Sequence, residues 1–235
     1  MRPWHCPVSS WSATACGCAD SADDTEHSSR EGRSDHLSER PSSADHRRFA
    51  GRGIVLNGGD NRRPPRGVPL TTIAEYLAAA EVQAAPVDPA APGAPKVTVG
   101  VPEGWQQVPA GMFPGSYGVW TQPPVNGWAD NAVLLVAAFT PAVDPRELLT
   151  HAFADARQLP GWQDLDSDTA DFDGYPSAGI TGTYVVEQLT LWAYNRYIVV
   201  TSPTAQYLIQ LTITTRTDSD GTAPTTLLEG LSITA

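Results

Sequence analysis

Long extended segments with apolar residues at alternate positions dominate the last third of the chain. Three of them follow one another, at Ser177–Val186, Gln188–Thr201 and Gln206–Thr215. They are rich in Val, Ile, Thr, Tyr and Trp, which suit the pleated surface of a sheet. The connections, at Glu187–Gln188 and Ser202-Pro203-Thr204, are short, so the pattern predicts an antiparallel meander. In the third segment the faces differ: one is apolar, with Tyr207, Ile209, Leu211 and Ile213, and the other is polar, with Gln210, Thr212 and Thr214.

Three stretches carry apolar residues at helical spacing. Thr72-Ile73-Ala74-Glu75 fits a capping box and begins a short helix that is predicted to end near Ala80. Asp144-Pro145-Arg146-Glu147 has a capping Asp and a Pro at the first helical position, and the helix is predicted to reach Arg157. A last helix is predicted from Pro224.

Extended segments fill most of the sequence between the first two helices. Gln83–Pro95 is predicted to be a Pro- and Ala-rich linker, and Pro123–Asp130 a loop. The predicted strands are Val97–Val101, Ser116–Thr121 and Asn131–Phe139, the last a central strand covered on both faces. The order of strands and helices predicts an α+β domain over residues 67–235, in which helices pack on an antiparallel sheet.

Residues 1–66 have a different composition. They hold ten Ser and ten Arg but no Lys, and show no hydrophobic periodicity. We therefore predict a disordered tail. The apolar run of a signal peptide is absent, as is the hydrophobic stretch that a lipoprotein signal requires before Cys16. This composition also suggests a misassigned start site.

Charge narrows the range of functions. Residues 67–235 carry five basic and seventeen acidic groups, and so acidic a domain repels phosphate backbones. Nucleic acid is therefore excluded as a partner. We also find no run of about 18 apolar residues that would predict a transmembrane helix.

Few residues offer catalytic or metal chemistry. His151 is the one histidine outside the tail and has no identifiable nucleophile near it, so we predict that the protein is not an enzyme. The spacing of His5, Cys6, Cys16 and Cys18 fits no standard zinc site. No cofactor or metal is predicted.

An acidic run raises the question of calcium. It comprises Asp164, Asp166, Asp168, Asp171 and Asp173. An EF-hand counted from Asp164 requires Gly and Glu where Thr169 and Tyr175 stand. We favour a strand whose first three aspartates share one solvent-facing side.

Aromatic residues are the remaining candidates for a binding site. Most are expected to pack in the core, and some to line an apolar cleft for a lipid or glycolipid. Trp128, in a Pro- and Gly-containing loop, is expected to be partly exposed. Arg196 is expected to pair with a carboxylate such as Glu187 or Asp155, or to contact a headgroup. The candidate ligand-binding residues are Trp105, Trp120, Trp128, Trp192 and Arg196.

Several short motifs between Val68 and Leu231 resemble the LpqN/LpqT family of mycobacterial lipoproteins, and the LpqT branch most. The most distinctive are Asp168–Ser177, Gly182–Tyr184, Trp192–Arg196 and Tyr207–Thr214, with Val101–Trp105 and Ala154–Arg157 in support. The resemblance implies a Mog1/PsbP-like α/β sandwich. It also implies an exported, lipidated, non-enzymatic envelope protein.

The same resemblance implies a ligand and partners. The ligand would be a lipid or glycolipid such as trehalose monomycolate, and the partners a membrane lipid exporter or a host protein. Two alternatives remain open. One is a protein–protein interaction module without a lipid ligand, and the other is an envelope lipid hydrolase.

Overall fold

An antiparallel sheet forms the centre of the fold in the computed structural model, which describes residues 71–125 and 127–234. The predicted tail at 1–66 lies outside the described residues. The helices are α1 Ile73–Ala79, α2 Pro145–Leu149, α3 Ala154–Arg157 and α4 Thr222–Glu229. The strands are β1 Gln83–Pro86, β2 Lys96–Thr98, β3 Gln106–Gln107, β4 Gly118–Thr121, β5 Asn131–Thr140, β6 Gln163–Asp168, β7 Ser177–Val186, β8 Leu189–Thr201, β9 Gln206–Arg216 and β10 Ser232–Thr234.

The strand order is β3-β4-β5-β9-β8-β7-β6, and β1 pairs with the end of β5. All of these pairings are antiparallel. The predicted meander of β7, β8 and β9 is confirmed, as is the α+β class. Strands β2 and β10 form a separate two-stranded ribbon. No helix in the described part of the chain is long and apolar enough to cross a membrane.

The sheet has two faces that are covered differently. The back face carries Ile209 and Leu211, and packs against α4 and the ribbon through Leu227 and Val97. The front face carries Leu208 and Tyr197, and packs against α1 and α2. Cross-strand partners share a face, so the register assigns every sheet residue to one side.

Helix α1 begins as the sequence predicts. The Thr72 hydroxyl accepts a hydrogen bond from the Glu75 amide at 3.1 Å, and a Glu75 carboxylate oxygen accepts one from the Thr72 amide at 2.8 Å. The bond that the Thr72 amide donates, with a second from the Thr72 hydroxyl at 3.0 Å, lowers the pKa of the Glu75 carboxyl. The reciprocal capping box therefore satisfies amides that the first helical turn leaves free.

The helix predicted over Asp144–Arg157 is wrong as a continuous element, because α2 ends at Leu149 and α3 begins at Ala154. The Thr150 hydroxyl donates to the Glu147 carbonyl at 2.7 Å, which satisfies the end of α2 locally. The break lets α3 cross a different part of the sheet. It is this short helix that forms one wall of the site described below.

Other boundaries also differ from the predictions. The linker predicted over 83–95 begins with β1, which pairs with β5. The ribbon partner β10 was not predicted, because its three residues carry no periodic signal of their own. In β5 every second residue of the first half, including Val133 and Leu135, is only half-buried. That part of the front face is therefore not fully covered.

Candidate functional site

A row of polar side chains crosses the middle of the front face. Gln210, Thr212 and Thr214 follow one another along β9, and Asn195 lies opposite Thr212 on β8. All four are buried, with exposures of 3, 6, 2 and 6%. Polar groups are costly to bury unless they are paired or have a function. The burial of this polar row therefore requires an explanation, whereas the burial of the apolar core around it does not.

Helix α3 stands over the row and makes it the floor of a cleft. Ala156 of α3 and the following Leu159 form one wall, and Tyr184 and Tyr197 of the sheet complete the lining. The cleft is shallow and open to solvent, and its volume is about 20 Å³. It admits about one water molecule or one hydroxyl group. On β5, the half-buried Val133 and Leu135 lie directly opposite Thr212 and Gln210 of the floor.

Part of the hydrogen-bonding capacity of the floor is unused. The Thr212 hydroxyl donates to Asn195 Oδ1 at 2.7 Å, and Gln210 Nε2 donates to the Thr212 hydroxyl at 3.2 Å. Asn195 Nδ2 and Gln210 Oε1 have no hydrogen-bond partner among the described residues. Neither atom is among the fully buried atoms that lack a partner, so both are accessible to solvent. One donor and one acceptor thus face the cleft.

Gln206 lies on the same strand and face, and its side-chain amide has a purely structural role. Its Oε1 accepts from the Val143 amide and its Nε2 donates to the Val143 carbonyl, both at 2.9 Å. Nε2 also donates to the Thr201 hydroxyl at 3.2 Å. Both the oxygen and the nitrogen of the Gln206 amide are therefore hydrogen-bonded within the fold. In Gln210 only Nε2 is hydrogen-bonded within the described residues.

The cleft is weakly acidic and otherwise neutral. Burial raises the pKa of Tyr184 to about 12, although a hydrogen bond with Thr214 opposes this. Burial also raises the pKa of Tyr197, and the charge of Asp155 adds to the effect. Both phenols therefore stay protonated at neutral pH. Asp155 is the single charged side chain among the described lining residues.

Trp128 lies beside the cleft, on the same face of the sheet, and is 2% exposed. The expected partial exposure is therefore wrong. Its indole packs in a cluster with Tyr184, Leu191 and Ala193. The loop that carries it makes a tight turn, in which Val125 and Trp128 exchange backbone hydrogen bonds. The turn folds the ring onto the sheet and leaves Val125 outside, 43% exposed.

The other four predicted ligand-binding residues lie on the back face. Trp105 and Trp120 are 8% exposed and belong to the core that packs against α4. Trp192 is half-buried, and its ring is parallel to that of Tyr194 with 6.4 Å between centroids. The structure therefore does not bring these residues to the cleft.

Arg196 is a bridge within the back face. Its guanidinium bonds both oxygens of Asp168 at 2.9 and 3.0 Å, and Nε donates to the Tyr194 hydroxyl at 2.7 Å. The expected pairing with a carboxylate is thus confirmed, but the partner is Asp168 and not Glu187 or Asp155. Burial opposes the charge, but Asp168 and Tyr194 more than offset it, so the pKa of Arg196 is raised. All three nitrogens of the Arg196 guanidinium therefore donate hydrogen bonds to neighbouring residues of the sheet.

The acidic run does not share one face, because the register of β6 shifts between Asp164 and Asp166. Asp164 bonds Trp162 Nε1 at 2.7 Å and Arg157 at 3.1 Å. Asp168 instead turns to Arg196. These ion pairs give the run a structural role. They also tie the edge strand β6 to its neighbours.

His151 serves a contact between helices. Its ring stacks on Tyr76 with 4.6 Å between centroids, and Nδ1 lies 3.0 Å from the Thr71 carbonyl oxygen. No hydroxyl or thiol nucleophile contacts it through a hydrogen bond in the described part of the chain. The ring therefore joins α1 to the end of α2.

Sequence reasoning missed the cleft, although part of its signal was visible. The polar alternation of Gln210, Thr212 and Thr214 marks them as one face of β9. Alternation alone favours a solvent-facing side for such residues. Only the position of α3 over this face shows that the row is a buried floor.

Comparison with known proteins gives a consistent result. The family profile described as "Probable lipoprotein LpqN" matches residues 69–234. A proline-rich 28 kDa antigen of Mycobacterium tuberculosis is 33% identical over 59% of this chain and 46% of its own length. A putative lipoprotein LpqT of Mycobacterium leprae is 32% identical over 64% of this chain and 68% of its own. None of these names denotes an enzyme.

A solved structure agrees with the fold. The crystal structure of LpqN "involved in cell envelope biogenesis of Mycobacterium tuberculosis" superposes with a TM-score of 0.64 at 26% identity. The match covers 72% of this chain and all of that one. The chain spans less than half the length of the antigens it matches, at 43 and 46%. On the extent of the profile match and this shared fold, the chain belongs to the LpqN family of mycobacterial lipoproteins.

Proposed function

We propose that the domain is a non-catalytic binding protein of the cell envelope that holds the sugar headgroup of a glycolipid, such as a trehalose mycolate, in the cleft beneath α3. The observation that carries the proposal is the unused donor of Asn195 and the unused acceptor of Gln210 on a buried floor. A sugar hydroxyl donates and accepts at once, so it matches such a pair. The cleft admits one hydroxyl group and is open to solvent, so the rest of the sugar would lie outside its mouth.

Charge favours a neutral headgroup over a phosphate. The two phenols that line the cleft are neutral and offer no positive charge to a phosphate. The surrounding domain is also strongly acidic. The half-buried Val133 and Leu135 beside the floor supply apolar surface for the nonpolar face of the sugar ring.

The family supports a place in the envelope, since relatives are named lipoproteins and LpqN is described as involved in cell envelope biogenesis. The Asp and Glu surplus keeps such a domain off an anionic membrane unless it is tethered. A binding protein without catalytic groups has to receive and deliver its ligand. We therefore propose a membrane lipid exporter as its partner.

Calorimetric titration of the full chain with trehalose 6-monolaurate, below its critical micelle concentration, tests the proposal. We expect saturable binding to the ester and weaker binding to dodecylphosphocholine, which has the same chain length and a phosphate. Thr212→Val keeps the side-chain shape and removes the hydroxyl that orients Asn195. Gln210→Leu removes the free acceptor. Each is expected to weaken binding about tenfold, the size of one lost hydrogen bond.

The matched control is Thr183→Val, because Thr183 is a half-buried threonine on the back face opposite Trp192. It should bind the ester within about twofold of the unchanged protein, since it is remote from the floor. Equal affinities for all three variants, or no saturable binding by any of them, would contradict the sugar site.

A second candidate function is protein docking without a lipid. The observation that favours it is the small volume of the cleft, which encloses no acyl chain. The partner would be basic because the domain is acidic, and an envelope or host protein would fit equally. Binding of a basic partner that the laurate ester does not affect would support this candidate over the first.

A further inference from the structure

A tryptophan fills an apolar chamber next to the cleft. The indole of Trp128 is surrounded by Leu191 and Ala193, with Leu159, Trp162, Val186 and Leu189 packed around them. Tyr184, Ala193 and Leu159 also line the cleft. The chamber and the cleft therefore share a wall, and emptying one would open it to the other.

The indole is held there with an unsatisfied group. Trp128 Nε1 is buried and has no hydrogen-bond partner in the described residues. A buried donor without a partner is rare and costs free energy. If the ring turned outward, Nε1 would gain water as a partner, which would offset part of the lost apolar burial. The unpaired Nε1 makes the buried position of the indole less stable. It therefore lowers the free energy that is needed to turn the ring outward.

We propose that the chamber filled by Trp128 is the subsite for the lipid chain of the same ligand, and that the chain displaces the indole when it binds. This rests on the proposed function, in which the sugar lies on the floor at Asn195 and Gln210. A chain leaving the sugar next to Tyr184 reaches the chamber directly. A large cavity lined by leucine and aromatic side chains readily accepts apolar ligands.

The test follows the seven tryptophans in a full-length chain labelled with 5-fluorotryptophan. Trp128→Phe identifies the fluorine resonance of Trp128. Adding trehalose monolaurate should shift that resonance and raise its H₂O/D₂O isotope shift, which reports exposure of the ring. Trehalose monobutyrate, whose chain is too short to replace the indole, should leave both unchanged. An unchanged isotope shift with bound laurate overturns the proposal.

Affinity provides a second readout that does not depend on the label. Trp128→Ala empties the chamber, so the laurate ester should bind about tenfold more tightly while the butyrate ester changes less than twofold. Trp120→Ala removes a buried tryptophan from the opposite face and should show no such chain-length effect. Equal effects of the two variants, or weaker laurate binding by Trp128→Ala with its fold intact, overturn the proposal. The proposed function fails on a different result, which is that the floor variants bind the ester as the unchanged protein does or that none of these proteins binds it saturably.

Discussion

Arg196 and Asp168 form a two-pronged ion pair across β7, with both terminal nitrogens of the arginine within 3.0 Å of the carboxylate oxygens. The side chain of Arg196 is 14% exposed and that of Asp168 is 43% exposed. The pair joins β8 to the edge strand β6 through the intervening strand. It therefore adds a side-chain link to the backbone pairing of β6 with β7 at that edge.

Removing this pair should destabilise the domain measurably. We expect Arg196→Ala to lower the free energy of unfolding by about 2 kcal/mol, because Asp168 and Tyr194 lose a charged donor in a partly buried setting. Arg196→Lys should recover little, since an ammonium cannot reproduce the bidentate contact. Urea unfolding monitored by circular dichroism measures both.

The exposed pair of Arg146 and Asp171 is the control, with side chains 55 and 46% exposed. Arg146→Ala should cost less than about 1 kcal/mol, as solvent-exposed pairs do. Equal losses of unfolding free energy in the two variants would show that the pair across β7 stabilises the domain no more than an exposed pair does.

Gly179 is required by the same arrangement. A Cβ built at Gly179 would lie 2.8 Å from Cζ of Arg196 and 3.0 Å from an oxygen of Asp168. We expect Gly179→Ala to lower the free energy of unfolding by about 2 kcal/mol through overpacking. Gly111, where a Cβ meets nothing within 4 Å, is the control, and its alanine variant should change stability by less than about 0.5 kcal/mol.

Stability should fall at alkaline pH because of a buried tyrosine. Burial raises the pKa of Tyr184 to about 12 from its ordinary 10.0. Its contribution is fully present below pH 10, and it is lost as the pH rises toward 12, because the unfolded chain ionises first. A shift of this size corresponds to about 2–3 kcal/mol.

Tyr184→Phe should therefore flatten the decline of the unfolding free energy between pH 10 and pH 12. At neutral pH the variant should lose about 1 kcal/mol, the value of the hydrogen bond with Thr214. A residual slope from Tyr197, whose pKa is also raised, is expected to remain. Parallel pH curves for the two proteins would disprove this role of Tyr184.

The capping box of α1 provides a local test of the fold. Thr72→Ala removes the acceptor of the Glu75 amide, so we expect a loss of about 1 kcal/mol in thermal unfolding. Thr71 is exposed and its side chain caps nothing in the described structure, so Thr71→Ala should leave the melting temperature almost unchanged. Similar effects at the two threonines would argue against the cap.

The meander and the first capping box were predictable because their signals are local. Alternation, short turns and the Thr72–Glu75 spacing all lie within a few residues of one another. The break between α2 and α3 was not predictable, since Leu148, Ala152 and Ala156 fit one continuous helical stripe. Tertiary contacts with the sheet, and not the stripe, decide where that helix is interrupted.

The candidate site was less predictable than the fold. Trp128 stands beside glycine and proline residues that indicate an exposed loop, yet its turn folds the ring inward. The partner of Arg196 depends on a register shift in β6, which periodicity does not reveal. For Gln210 and Thr212 the sequence indicates a polar face, and only the packing of α3 distinguishes a cleft floor from open surface.

The side-chain amide signals of Asn195 and Gln210 report most directly on the central claim. In ¹H–¹⁵N spectra of the full chain, we predict that both move in a saturable way as trehalose monolaurate is added. The signal of Gln206, which is bound at both ends to the fold, should stay in place. If the amides of Asn195 and Gln210 stay fixed while the ester binds elsewhere, or if no signal moves, the sugar site beneath α3 does not exist.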